Sequence, residues 1–179
     1  MLQGLAGTLS SRLSCAALTF PATRQWVHVG YVLASTAAVA LPLGFGSRFL
    51  EFSPVRDAGT VLKGAAVAFV MPGVSEEVLF RAALLPHPRV DPIQPPSRYA
   101  LLAALPLAIF VAYHLINPDP RARGVFTDWR FLSLAGILGT ACTASYYLTG
   151  GSLMAAAITH WVPVCTWLFL LGGWQKLRA

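Results

Sequence analysis

Five apolar runs, each close to twenty residues long, limit what this chain can fold into. They lie at about 26–46, 61–86, 99–117, 131–149 and 152–172. An α-helix needs about 20 apolar residues to cross the hydrocarbon core of a bilayer. None of the runs alternates apolar and polar residues as a strand would. In lipid that leaves helices as the way to satisfy every backbone N–H and C=O. The sequence therefore predicts an all-α, polytopic membrane helical bundle with about five transmembrane helices. Composition agrees, because the 179 residues are 56% hydrophobic and 11% charged, against about 25% charged in a soluble domain. Mean hydropathy is +0.62.

Polar or Pro-rich joints separate most runs, at 47–60, at HPRVDPIQPPSR (87–98) and at PDPRARGVFTDWR (118–130). Small residues such as Gly64, Ala65, Gly73 and Ala155–Ala157 permit close helix–helix approach. Pro106 and Pro163 fall inside runs and are expected to kink them. Residues 1–25 form a separate unit. Leu9, Leu13, Ala16, Ala17 and Phe20 recur at helical spacing with Ser10, Ser11, Arg12 and Ser14 between them, the pattern of an interfacial amphipathic helix. Residues 26–179 make up the bundle. Being free of acids and containing Ser and Arg, the N-terminal segment has an organellar transit peptide as its alternative reading. The expected location is a bacterial plasma membrane, with an organellar membrane as the alternative.

The net charge of +6 sits almost entirely between the apolar runs. That distribution suits anionic headgroups and membrane orientation, and it lacks the basic stripe with interleaved aromatics of a nucleic-acid binder. With 47–63, 118–130 and the C-terminus on one side, that side carries eight Lys/Arg: Arg48, Arg56, Lys63, Arg121, Arg123, Arg130, Lys176 and Arg178. Arg12, Arg24, Arg89 and Arg98 leave four on the other. The positive-inside rule then predicts a cytoplasmic C-terminus. Cys15, Cys142 and Cys165 are widely spaced, give neither a disulfide framework nor a zinc knuckle, and read as small buried hydrophobes where they fall in the runs.

Against this background GVSEEVLFRAALLP, Gly73 to Pro86, stands out. Glu76, Glu77 and Arg81 would cost roughly 7–10 kcal/mol if unpaired at the centre of a membrane helix. Glu77 and Arg81 are i, i+4 with the acid N-terminal, the favourable order for an intrahelical ion pair. Glu76 lies about 100° round the helix and is the carboxylate left over. Two more ionisable residues sit within runs: His114, which shares a face with Phe110, and His160. Either imidazole alone is ordinarily a packing hydrogen bond. A spare carboxylate with two imidazoles on three helices is a functional-site hypothesis. His28 and His87 are expected at the interface.

These residues resemble a known family. EEVLFR (Glu76–Arg81) is similar to the EExxxR motif of the CAAX protease and bacteriocin-processing (Abi) family, FVAYH (Phe110–His114) to its FxxxH motif, and His160 in THWVPV to its third-motif histidine. The resemblance covers roughly residues 58–172. It implies a glutamic-type intramembrane endopeptidase acting on a membrane-associated peptide or protein, possessing no cofactor. Glu76 would activate water, His114 would hold or protonate it, and His160 would stabilise the oxyanion. Glu77 and Arg81 would support the site, and Phe110 would pack beside His114. One position departs from the pattern. Four residues after the histidine the family carries Asn or Asp, and here Val164 stands there. An oxyanion-hole donor is worth about 2.7–4 kcal/mol, and Asn117 is the nearest sequence candidate to compensate.

Other functions leave different signatures. A zinc peptidase would use HExxH or another dense ligand set, which the sequence lacks, so a metal-free reaction is expected. A proton-coupled transporter would show an inverted repeat, and none is evident. A non-catalytic accessory or bacteriocin-immunity-type protein of the same family is the alternative that Val164 favours.

Overall fold

The computed structural model describes residues 2–93, 95–116 and 119–178. It is all-helical. The helices are α1 (Leu2–Leu18), α2 (Thr23–Gly46), α3 (Ala58–Ala83), α4 (Pro96–Tyr113), α5 (Pro120–Phe126), α6 (Trp129–Leu148), α7 (Leu153–Leu170) and α8 (Gly173–Lys176). Five of them, α2, α3, α4 extended to Ile116, α6 and α7, are long and apolar enough to span a membrane, so the protein is an integral membrane protein. The two short helices α5 and α8 were not foreseen. They lie in stretches whose polar residues hide a single turn or two of helix.

Local chemistry sets the helix starts. Asp57, Asp119, Asp128 and Ser152 each precede a helix and accept a backbone N–H of its first turn with their side chains, from Thr60, Arg121, Arg130 and Ala155. Such caps satisfy donors that the helix itself leaves orphaned. Helix α6 stops at Gly150 and Gly151, both at positive φ (73° and 89°), where a Cβ at Gly151 would collide with the His87 ring.

Helix α6 is the central post, packing against α2, α4 and α7, while α7 also lies along the middle of α3. Outward-facing Leu62, Val67, Val70 and Leu101 are exposed, as lipid-facing residues of a bundle are. Between α2 and α3 the chain runs extended as a strap across the end of α7. Ser53 N–H donates to Leu170 O (2.9 Å) and Val55 N–H to Phe169 O (2.8 Å).

The main departure from a plain bundle lies in α3. Met71 is extended (φ −139°, ψ 107°) and is followed by Pro72, so the helix breaks and restarts before Glu76. The segment after Glu77, Val78–Ala83, is wound with wide π-type turns. Proline removes a donor and clashes with the preceding turn, so Pro72 accounts for the break. The kinks expected at Pro106 and Pro163 are less consequential, since both residues lie within continuous helices.

Helix α1 is built into the bundle. Ala16 is fully buried in a cluster with Ala82, Leu85, Tyr146 and Ala156, and Leu13 packs against it. Arg12 donates to Asp91 through Nε (2.8 Å) and Nη2 (2.6 Å), and its Nη1 reaches the carbonyl of Ala83 (3.2 Å) at the end of α3. Asp91 also accepts the His87 N–H (2.6 Å). Burial pushes the Asp91 carboxyl up, but the Arg12 guanidinium and the His87 amide outweigh it and hold the group below its ordinary range. His87, expected at the interface, is instead completely buried, with Nδ1 accepting the Arg89 N–H (3.1 Å). Burial lowers its pKa from the ordinary value. His28 is exposed on α2.

Candidate active site

The break in α3 delivers its second half, with both glutamates, to the face of α7. Two glycines permit the approach. A Cβ on Gly73 would lie 3.0 Å from Ala68 O and 3.6 Å from the Cβ of Trp161, and one on Gly139 of α6 would lie 3.1 Å from Arg81 Nη2. Trp161 holds the first half of α3 in place, donating its indole N–H to Ala65 O (2.8 Å) and packing edge-on against Phe69.

Arg81 and Glu77 form the ion pair expected from their spacing, with Nη1 donating to Glu77 Oε1 at 2.9 Å and both side chains buried. The other arm of the guanidinium donates to Gly139 O (2.7 Å), and its Cζ lies over the Phe110 ring, 4.7 Å from the centroid. A desolvated guanidinium over a ring face is attracted by the ring quadrupole. Thus Arg81 ties α3 to α4 and α6 at one point.

Glu77 has a second partner that the sequence did not reveal. Its Oε1 lies 2.7 Å from His160 Nδ1 on α7. That oxygen already accepts from Arg81, so Nδ1 carries the proton and donates. The imidazole is thereby fixed in orientation and turns Nε2 toward Glu76, whose Oε2 is 3.8 Å away. Oε2 of each glutamate is buried without a hydrogen-bond partner among the described residues.

His114 closes α4. Its Nδ1 donates to the carbonyl of Phe110 (2.8 Å), leaving Nε2 as an acceptor. Its ring packs edge-on against Phe110 (5.0 Å) and Phe131 (5.2 Å). Phe110 also contacts the Phe80 and His160 rings, so one aromatic side chain braces both imidazoles and the motif helix.

Glu76, His114 and His160 all line one cavity of about 640 Å³, whose remaining wall is mostly apolar. It runs from the broken turn at Met71 and Pro72 past α2 and α7 to Phe49, Leu171 and Leu177 at the end of the bundle. Val164 lies in its wall, where the family resemblance calls for an amide. A largely apolar pocket with a few convergent polar groups is the usual form of a binding or catalytic site. The remaining sequence candidate, Asn117, lies outside the described residues.

A metal ion would find one donor set among the described residues. Glu77, Cys142 and His160 are all buried, with ligand atoms within 4.8 Å of one another. Cys142 is therefore more than a small hydrophobe, since its thiol borders the Glu77–His160 contact. The Arg81 guanidinium already occupies Glu77 Oε1, so a divalent ion there would sit beside a fixed positive charge, and the donor set fits a metal poorly.

Fold and site together define a class: integral membrane proteins that gather ionisable side chains inside a helical bundle, against an apolar cavity. The family is established by sequence comparison. Residues 58–165, more than half of the chain, match the family described as Type II CAAX prenyl endopeptidase Rce1-like, and the chain belongs to it. It is a family of proteases. Comparison with curated proteins and with solved structures returned no match.

Proposed function

We propose that this protein is a glutamic-type intramembrane endopeptidase that cleaves a membrane-anchored, CAAX-like substrate with water activated by Glu76. The observation that carries this reading is the 3.8 Å approach of Glu76 Oε2 to His160 Nε2 at the wall of the apolar cavity. A water between them loses a proton to the Glu76 carboxylate while its oxygen attacks the scissile carbonyl carbon. His114 Nε2 accepts the water's other hydrogen and orients it. Glu76 then delivers the proton to the leaving amine, restoring the carboxylate.

The oxyanion needs a donor, and Val164 supplies none. With Nδ1–H committed to Glu77, His160 donates from Nε2 only as an imidazolium. Glu77 is on this reading a positioning residue as well as a partner for Arg81. The apolar cavity, lined by Met71 and Pro72 at the broken turn, suits a substrate with a hydrocarbon anchor. A bacterial plasma membrane is the proposed location, to be checked by fractionation.

The decisive experiment compares peptide termini in membranes containing wild-type protein with those containing Glu76→Gln. Products present only with wild type support the reading. Indistinguishable termini would instead favour the accessory-protein reading that Val164 motivates.

A further inference from the structure

The far end of the cavity carries a second set of polar groups, two of them donors without an ion-pair or hydrogen-bond acceptor among the described residues. Phe49, 3% exposed, forms part of the cavity wall there. Two cations lie over its ring, with Arg130 Cζ 5.6 Å and Lys176 Nζ 5.7 Å from the centroid. Trp167 stacks on the same ring (6.2 Å, 18°) and lines the cavity, and its buried indole N–H has no acceptor among the described residues. Arg130 is engaged, donating to both oxygens of Asp128 and to Ser47 O. Lys176 makes no ion pair among the described residues, and its neighbour Leu177 lines the cavity. Phe49, Trp167 and Lys176 all lie outside residues 58–165, so the family match says nothing about them.

We infer that this collar, Lys176 with Trp167 around Phe49, is a binding site for the anionic head of the amphiphile whose apolar part fills the cavity. The number of free donors selects the anion. Arg130 is held by Asp128, and Glu51 beside Gly172 adds a negative charge at this end, so the collar offers only the Lys176 ammonium and the Trp167 indole N–H, one donor for each oxygen of a carboxylate. A buried indole N–H that gains a carboxylate oxygen removes an unsatisfied donor. An ammonium at the edge of a low-dielectric cavity attracts the anion more strongly than in open water. The inference rests on the peptidase reading for the identity of the ligand, a peptide with a free C-terminal carboxylate. The collar itself is tested by binding alone.

The probes are an S-farnesyl-cysteinyl tetrapeptide with a free C-terminal carboxylate, the same peptide as its C-terminal amide, and farnesyl monophosphate. Binding is measured to full-length Glu76→Gln protein in detergent micelles, so that no probe is consumed. The acid is expected to bind about tenfold tighter than the amide, the size of one charge-assisted contact. Lys176→Gln should reduce that preference to about twofold or less, Lys176→Arg should keep it, and Trp167→Phe should reduce it in part. Raising salt should weaken the preference. Equal binding of acid and amide, or a preference that survives Lys176→Gln, overturns the collar. Tighter binding of the phosphate than of the acid overturns the carboxylate assignment. Loss of the peptidase reading would appear separately, as unchanged peptide termini on comparing wild type with Glu76→Gln.

Discussion

Replacing Glu77 by Gln tests how the buried cluster divides its work. Arg81 is 1% exposed and Glu77 fully buried, so the substitution leaves a guanidinium uncompensated in a low-dielectric interior. Breaking a buried pair from one side costs about 3–5 kcal/mol. Arg81 keeps its bond to Gly139 O and its place over Phe110, which argues for the lower half of that range. In a chain of this length 1 kcal/mol moves the melting temperature by about 2–4 °C, so Glu77→Gln should melt about 6–16 °C below wild type. Adding Arg81→Gln removes the orphaned charge and should recover more than half of the loss. Activity should not follow stability. Glu77 also fixes His160 through the 2.7 Å contact to Nδ1, so the double variant should be stable again and still inactive. Thermal unfolding in micelles, run as a double-mutant cycle beside a cleavage assay, reads both quantities. A Glu77→Gln protein that melts within 2 °C of wild type, a cycle with coupling near zero, or a double variant with normal turnover would each refute the assignment.

The other expectations can be stated more briefly. Val164→Asn places an amide in the cavity wall four residues after His160 and should raise the cleavage rate by about 10²-fold or more, whereas an unchanged rate would show that His160 alone suffices. Burial lowers the His87 pKa from 6.5, so its contribution to stability is full above about pH 6.5 and is lost as the pH falls through the depressed folded-state value. The melting temperature should therefore drop between pH 7 and pH 5 in wild type and much less in His87→Gln; parallel pH curves would remove His87 as the cause. Since Arg81 occupies Glu77 Oε1, chelators should leave turnover unchanged, and zinc that co-purifies stoichiometrically and restores chelated enzyme would reverse that conclusion.

The spans were legible because lipid imposes a length and a composition on any crossing helix, and those are one-dimensional properties. Glu77–Arg81 was legible for the same reason, since i, i+4 spacing is a fact about one helix. What sequence could not supply is the relation between helices. The Glu77–His160 contact joins residues 83 apart, and it exists because Gly73 and Gly139 let three helices converge. Cys142 read as a plain hydrophobe until its neighbours were known. The break at Met71 carried a readable signal in Pro72, but the apolar run continues through it and masks the interruption. His87 sits in a Pro-rich joint that reads as interfacial, and only the fold of that joint onto Gly151 buries it.

The clasp between α1 and the end of α3 also has a consequence for biogenesis. Arg12 and Asp91 are 79 residues apart, and the chain is made from the N-terminus at about 5–20 residues per second. Helix α1 thus emerges roughly 4–16 s before its acceptor exists. During that interval its apolar face has no protein partner, and the bilayer surface is the place where it can wait. Docking then becomes a late event, coupled to completion of the α3–α4 turn. The same clasp that closes the carbonyl end of the glutamate-bearing helix would report, during synthesis, that this helix has been inserted.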